Sequence, residues 1–177
     1  TTGPRNVAAG GSALAALTTT NNNTAVGFQA GNTMNTGASN TLLGTYAGNT
    51  ITTGSSNVAV GTSSALGAAT TLNTIVGASA GAATIGDNNT AVGANTLNSA
   101  AAAVTDIVAI GTNALTDALT VGANGTVAVG TSALTALTSG ASNTAMGRNA
   151  GASITTGSSN TVIGHTSASA ATASNNT

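Results

Sequence analysis

Apolar and polar positions along the chain follow neither a helical nor a simple strand period. They recur as a short phrase, Asn-Thr/Val-x-aliphatic-Gly, as in "NTAVG" from Asn23 and "NVAVG" from Asn57. The phrase starts at Asn6, Asn23, Asn40, Asn57, Asn73, Asn89, Ile107, Thr126, Asn143 and Asn160, so successive intervals are 17, 17, 17, 16, 16, 18, 19, 17 and 17 residues. A unit of this size is too short for the paired helices of helical repeat proteins. It has room for two short strands and two turns, which predicts an all-β chain. The predicted fold is a parallel β-solenoid, or β-roll, of ten 16–19-residue rungs with two short strands per rung, stacked at ~4.8 Å. Residues 1–177 then form a single repeat domain.

Each column of the phrase has its own chemistry. The fifth position is always glycine: Gly10, Gly27, Gly44, Gly61, Gly77, Gly93, Gly111, Gly130, Gly147 and Gly164. These glycines are predicted to bend the rung, because glycine alone enters positive φ freely. Asparagine at the first position is suited to an amide ladder from rung to rung. The second position is always Thr or Val, types that favour strands. A later phrase supplies small residues (Ala13, Ala30, Ala47, Ala80, Ala114, Ala133, Ala150) and aliphatic ones (Leu17, Met34, Ile51, Leu137, Ile154). Gly37, Gly54, Gly140 and Gly157 mark the return turn.

Strand side chains alternate between faces. With the second and fourth positions inward, the third points outward. That column reads Ala8, Ala25, Leu42, Ala59, Ile75, Ala91, Ala109, Ala128, Ala145 and Val162. Every member is apolar, which predicts a strip that is covered by self-association, most simply in a parallel homotrimer. At the ends, "TTGPRN" (1–6) aligns with "TTGSSN" (52–57), and "NNT" (175–177) aligns with 88–90. The chain thus opens and closes in mid-repeat. The expectation is a window from a longer array, or rungs of successive subunits stacked into a helical filament.

Composition narrows the chemistry. Two Lys/Arg and three Asp/Glu give a net charge of −1, too little cationic charge to capture nucleic acid or an anionic membrane surface. No apolar run approaches the ~20 residues of a membrane helix. Cysteine, glutamate and tryptophan are absent, and Phe28 and Tyr46 are the only aromatic residues. A catalytic role for His165, the single histidine, would need an acid–base or nucleophilic partner, and no Asp lies near it in sequence. Arg148 precedes it by one rung in the same column. Asp87, Asp106 and Asp117 read as turn residues, and the glycine-rich calcium phrase of β-rolls is missing. Hence no catalytic residue, cofactor or metal is expected. Asn22, Asn88, Asn124 and Asn175 head Asn-x-Thr triplets, which are candidate glycosylation sites.

The phrases "NVAVGTSSAL" (57–66) and "TVAVGTSAL" (126–134) resemble the head repeats of YadA-like trimeric autotransporter adhesins. The stretch "NTAVGFQAGNTMNTGASNTLLG" (23–44) is similar to a longer repeat found in bacterial and phage fibre proteins. The resemblance implies a left-handed parallel roll, a homotrimer, and an extracellular setting at a cell surface or virion. The function it implies is non-catalytic: rigidity and surface attachment in a fibre or filament, with contact to host-surface glycan or matrix. The competing expectation is an ice-binding β-solenoid. The second column, with Thr24, Thr41, Thr74, Thr90, Thr144 and Thr161 interrupted by Val7, Val58, Val108 and Val127, is similar to the Asn-x-Val-x-Gly roll of grass ice-binding proteins.

Overall fold

A computed structural model describes residues 3–81, 85–99, 103–117, 119–167 and 172–177; Thr1 and Thr2, part of the "TTGPRN" alignment, lie outside the described residues. The chain is an all-β solenoid. Ten three-residue strands form one parallel sheet in sequence order. They are β1 (Val7–Ala9), β2 (Thr24–Val26), β3 (Thr41–Leu43), β4 (Val58–Val60), β5 (Thr74–Val76), β6 (Thr90–Val92), β7 (Val108–Ile110), β8 (Val127–Val129), β9 (Thr144–Met146) and β10 (Thr161–Ile163). Each strand begins one residue after a phrase start. Register is column on column: Thr24 pairs with Thr41, Ala25 with Leu42 and Val26 with Leu43.

Two expectations are corrected. The first is two strands per rung: the described residues carry one. The second half of the rung is a chain of tight turns, closed by bonds such as Met34 N–H to Gly31 O (3.1 Å) and Ile51 N–H to Gly48 O (3.2 Å). These turns still stack, because other amides donate to the next rung, as Gly31 does to Ala47 O (2.9 Å) and Gly48 to Ser64 O (2.8 Å). A turn satisfies its buried amides this way as completely as a strand would.

The second correction concerns the faces. The alternation is present, but its phase is reversed. The third column points inward: Ala25, Leu42, Ala59, Ile75, Ala91, Ala109, Ala128 and Ala145 are fully buried, and Val162 nearly so. Only Ala8, on the terminal strand, is exposed. The proposed association strip is therefore the inside wall of the roll and is not available to a partner. The physical reason is width. A rung of 16–19 residues encloses so narrow an interior that the position facing the opposite wall is best filled by alanine.

Where the third column does hold a large residue, the far wall gives way. Leu42 lies against Gly31 and Gly48, where an added Cβ would come within 2.6 Å of its methyls, and Ile75 faces Gly81, whose Cβ would lie 3.1 Å from Cγ2. Conversely, Leu14, Leu97, Leu115 and Leu134 occupy that far position where the third residue is Ala8, Ala91, Ala109 or Ala128. These four leucines have φ of 49° to 53°, a left-handed conformation costing about 1–2 kcal/mol in a non-glycine residue. Burying each side chain returns about 1.5–3 kcal/mol, so packing wins over backbone preference. Where both positions are small, as at Ala25 with Gly31 and Ala145 with Gly151, side chains of neighbouring rungs fill the space: Leu42 and Leu14 reach over Gly31, and Leu134 over Gly151.

Candidate functional site

With the third column inside, the second and fourth columns form the outer face of the sheet. The second carries Thr24, Thr41, Thr74, Thr90, Thr144 and Thr161 with Val7, Val58, Val108 and Val127. The fourth carries Ala9, Val26, Leu43, Val60, Val76, Val92, Ile110, Val129, Met146 and Ile163. None is charged. Solvent reaches 41% of Val26, 49% of Met146 and 67% of Ile163, whereas Leu43, Val60, Val76, Val92 and Val129 between them are half-buried, so the aliphatic column is partly open to water along the sheet and most open towards its ends. A parallel sheet normally has both faces covered. Beside this column, beyond the glycine bend, runs a corner ridge. Near one end it carries Phe28 and Tyr46, whose rings meet edge to face at 5.6 Å and 83°. Near the other end it carries Arg148 and His165, with Arg148 Nη1 3.1 Å from His165 Nε2.

Two devices hold the face in register. The bend glycines stack directly on one another, each with φ between 123° and 142°. A Cβ on Gly44 would lie 2.6 Å from Gly61 O, and one on Gly77 would lie 2.2 Å from Gly93 O. Here glycine is required twice over, by dihedral and by the approach of the next rung. The second device is the asparagine column, buried and hydrogen-bonded from rung to rung. The Asn57 amide donates to Asn40 Oδ1 (3.0 Å) and to Thr70 O (2.8 Å), and its own Oδ1 accepts from Asn73 N–H (3.0 Å) and Nδ2–H (3.2 Å). Each amide thus ties its own strand to the rung before and the turn after. The left-handed residue at this corner is the one preceding the asparagine, for example Asn22 (φ 64°), Ser39 (φ 59°) and Ser56 (φ 58°). A second stands just after the bend, for example Tyr46 (φ 59°) and Asn149 (φ 56°). Sequence reasoning missed both series. The signal was there in the small polar residues that dominate these two positions.

The ladder breaks at β7 and β8, where Ile107 and Thr126 replace asparagine. Ile107 N–H still donates to Asn89 Oδ1 (3.0 Å), but Thr126 Oγ1 is buried without a partner. A short 3₁₀ turn, Val121–Ala123, occupies the longer loop of this region. Ile107 is fully buried, so replacing it would lose more in packing than a hydrogen bond returns. Thr126→Asn, which puts an amide where an unpartnered hydroxyl is buried, is expected to raise the melting temperature by a few degrees. Thermal unfolding followed by circular dichroism checks this, and a lowered midpoint would refute the ladder's role.

The remaining candidates do not converge. Thr166 Oγ1 lies 3.2 Å from His165 Nδ1, so both ring nitrogens face Arg148 and Thr166 rather than a carboxylate. Asp87 Oδ1 accepts from Thr71 N–H (2.7 Å), and Asp106 accepts from Asn88 Nδ2 (3.2 Å), both as turn partners of a neighbouring rung. Among the described residues no three His, Cys, Asp or Glu side chains group as metal ligands. Of the Asn-x-Thr triplets, Asn22, Asn88 and Asn175 are exposed, while Asn124 Oδ1 is engaged by Thr105 N–H (3.0 Å). No helix of the described residues is long and apolar enough to cross a membrane. No family model, curated protein or solved structure matches the chain.

Proposed function

We propose that this chain is a structural rod of an extracellular fibre or filament, non-catalytic, which associates with further copies of itself through the outer face of its sheet. The observation that carries the reading is the fourth column: an uninterrupted, uncharged aliphatic stripe on the outer side of the sheet. Ten strands at ~4.8 Å make a face about 45 Å long. A contiguous exposed apolar strip on such a face marks an interaction surface. The association interface therefore moves from the third column to the second and fourth. Rigidity follows from the stacked glycines and asparagines, and reach from the one-dimensional repeat. Contact with host-surface glycan or matrix, and placement at a cell surface or virion, belong to this reading through the resemblance to adhesin and fibre repeats.

Light scattering of the purified chain tests it. The expected result is a defined oligomer, with the homotrimer of adhesin heads as one stoichiometry, or a filament visible in negative stain. Val76→Asp, which sets a charge in the middle of the stripe, is expected to dissociate the assembly while leaving the β circular dichroism unchanged. A monomer at tens of micromolar for the unsubstituted chain would sink the proposal.

Ice binding is the second reading. What favours it is the outward direction of the second column, with Thr24 and Thr41 paired in register and Thr74 paired with Thr90. Val58, Val108 and Val127 interrupt that rank, and the fourth column beside it is wholly aliphatic, so the structural reading is preferred. Thermal hysteresis at micromolar protein would reverse the preference.

A further inference from the structure

We propose that two copies pair face to face with their rod axes antiparallel, about a two-fold axis that passes between β5 and β6 along the strand direction. The proposal rests on the reading of the outer face as a self-association surface, and adds its orientation and register.

The geometry is fixed by symmetry. Opposing the two outer faces by a two-fold along the strands keeps each column over itself and reverses the order of rungs, so rung k meets rung 11 − k. The alternative two-fold, along the rod, brings rung k against rung k and carries the corner ridge over the opposite edge of the sheet. The two ends of that ridge differ chemically. Phe28 stands on the second rung, and its ring lies over Gly11 of the first, with Cδ2 3.2 Å from where a Cβ of Gly11 would be. Arg148 and His165 stand on the ninth and tenth, joined at 3.1 Å. Rung reversal places the Phe28 ring, spanning rungs one and two, opposite the Arg148–His165 pair, spanning rungs nine and ten. It does so twice, once at each end of the dimer. A guanidinium on an aromatic ring is attractive.

The aliphatic column agrees with this register. Its smallest member, Ala9, meets Ile163, which is 67% exposed, and Val26 meets Met146. Every row then contains at least one Val or Ala, so the spacing between sheets stays even. Equal-rung pairing about an axis along the rod reverses the strands, so it would lay the fourth column over the second, setting Met146 against Thr144 and Ile163 against Thr161, and would leave the Phe28 and Arg148 ends of the ridge apart.

The chain contains no cysteine, which permits a direct test. Thr45 and Thr131, exposed on the ridge at rungs three and eight, become neighbours only in the antiparallel pair. Facing sheets stand ~10 Å apart, beyond a disulfide's reach, so a short bismaleimide is the reagent. Mixed Thr45→Cys and Thr131→Cys chains are expected to give a cross-linked dimer, and neither variant alone is expected to do so. Phe28→Ala and Arg148→Ala are each expected to weaken dimerisation about tenfold, with little further loss when combined. Self-cross-linking of Thr45→Cys alone would show a parallel assembly and overturn the orientation. So would an oligomer that gives no mixed cross-link, or one indifferent to Phe28→Ala. A chain that stays monomeric in light scattering fails at the association step and removes the proposal with it.

Discussion

Replacing Asn57 with alanine is expected to lower stability by on the order of 4 kcal/mol, although the side chain lost is small and neutral. The reason is that its amide closes four hydrogen bonds at once in a buried column. Without it Thr70 O loses its donor (2.8 Å), Asn73 N–H loses its acceptor while its Nδ2 keeps Gly86 O (3.0 Å), and Asn40 Oδ1 keeps only one of two donors. Each buried group left unpaired costs about 1–3 kcal/mol. For a chain of this length that corresponds to a melting temperature lower by about 10 °C. Because each rung touches only its neighbours, hydrogen exchange is expected to quicken first around β3, β4 and β5 and to spare β9 and β10. A shift under about 2 °C, or exchange that quickens uniformly, would contradict a ladder that acts locally.

Gly77→Ala is expected to be at least as damaging, and its control lies in the same molecule. The methyl would sit 2.2 Å from Gly93 O at a φ of +142°, so β5 and β6 could not keep their spacing. Gly164 shares the dihedral, with φ of +123°, but among the described residues the nearest atom to its Cβ is Ser167 Cβ at 3.8 Å. Gly164→Ala therefore carries the backbone strain of a glycine-only region, about 1–3 kcal/mol, whereas Gly77→Ala adds the collision with the next rung and is expected to exceed it by several kcal/mol. Urea titration of the two variants separates the contributions. Equal midpoints would mean that strain, not stacking, explains the glycine column.

The period and the strand positions were legible in the sequence because stacking forces one residue type per column wherever backbones touch. Glycine at the bend and asparagine in the ladder admit few substitutes, so they repeat visibly. The direction of the faces was not legible. A three-residue strand gives only one alternation, and here both sides are apolar: Ala inward at 25 and 128, Val outward at 26 and 129. Side-chain volume was the usable clue, since only a narrow interior explains why the middle residue is small. The second strand was expected from chain length alone, and turns fill that length equally well. Left-handed leucines at 97 and 134 could not be read from propensity, because the cost is local while the compensation, an alanine on the opposite wall, comes from elsewhere in the fold. The candidate contact face was misplaced for the same reason as the faces. Its aromatic and cationic corner residues were visible, but their shared ridge emerges only once the bend is built.

The uniform pairing of each strand with the next has a consequence for heredity. Every bond in the sheet joins residues one repeat apart, so excising residues 40–56 would join Ser39 to Asn57 and leave each remaining strand, ladder amide and bend glycine with an equivalent neighbour, at the cost of the Leu42 side chain that fills the space over Gly31. Genes for such a molecule can lengthen or shorten by whole units through unequal recombination without passing through a misfolded intermediate form, and selection can set the span of the product independently of everything that holds it together.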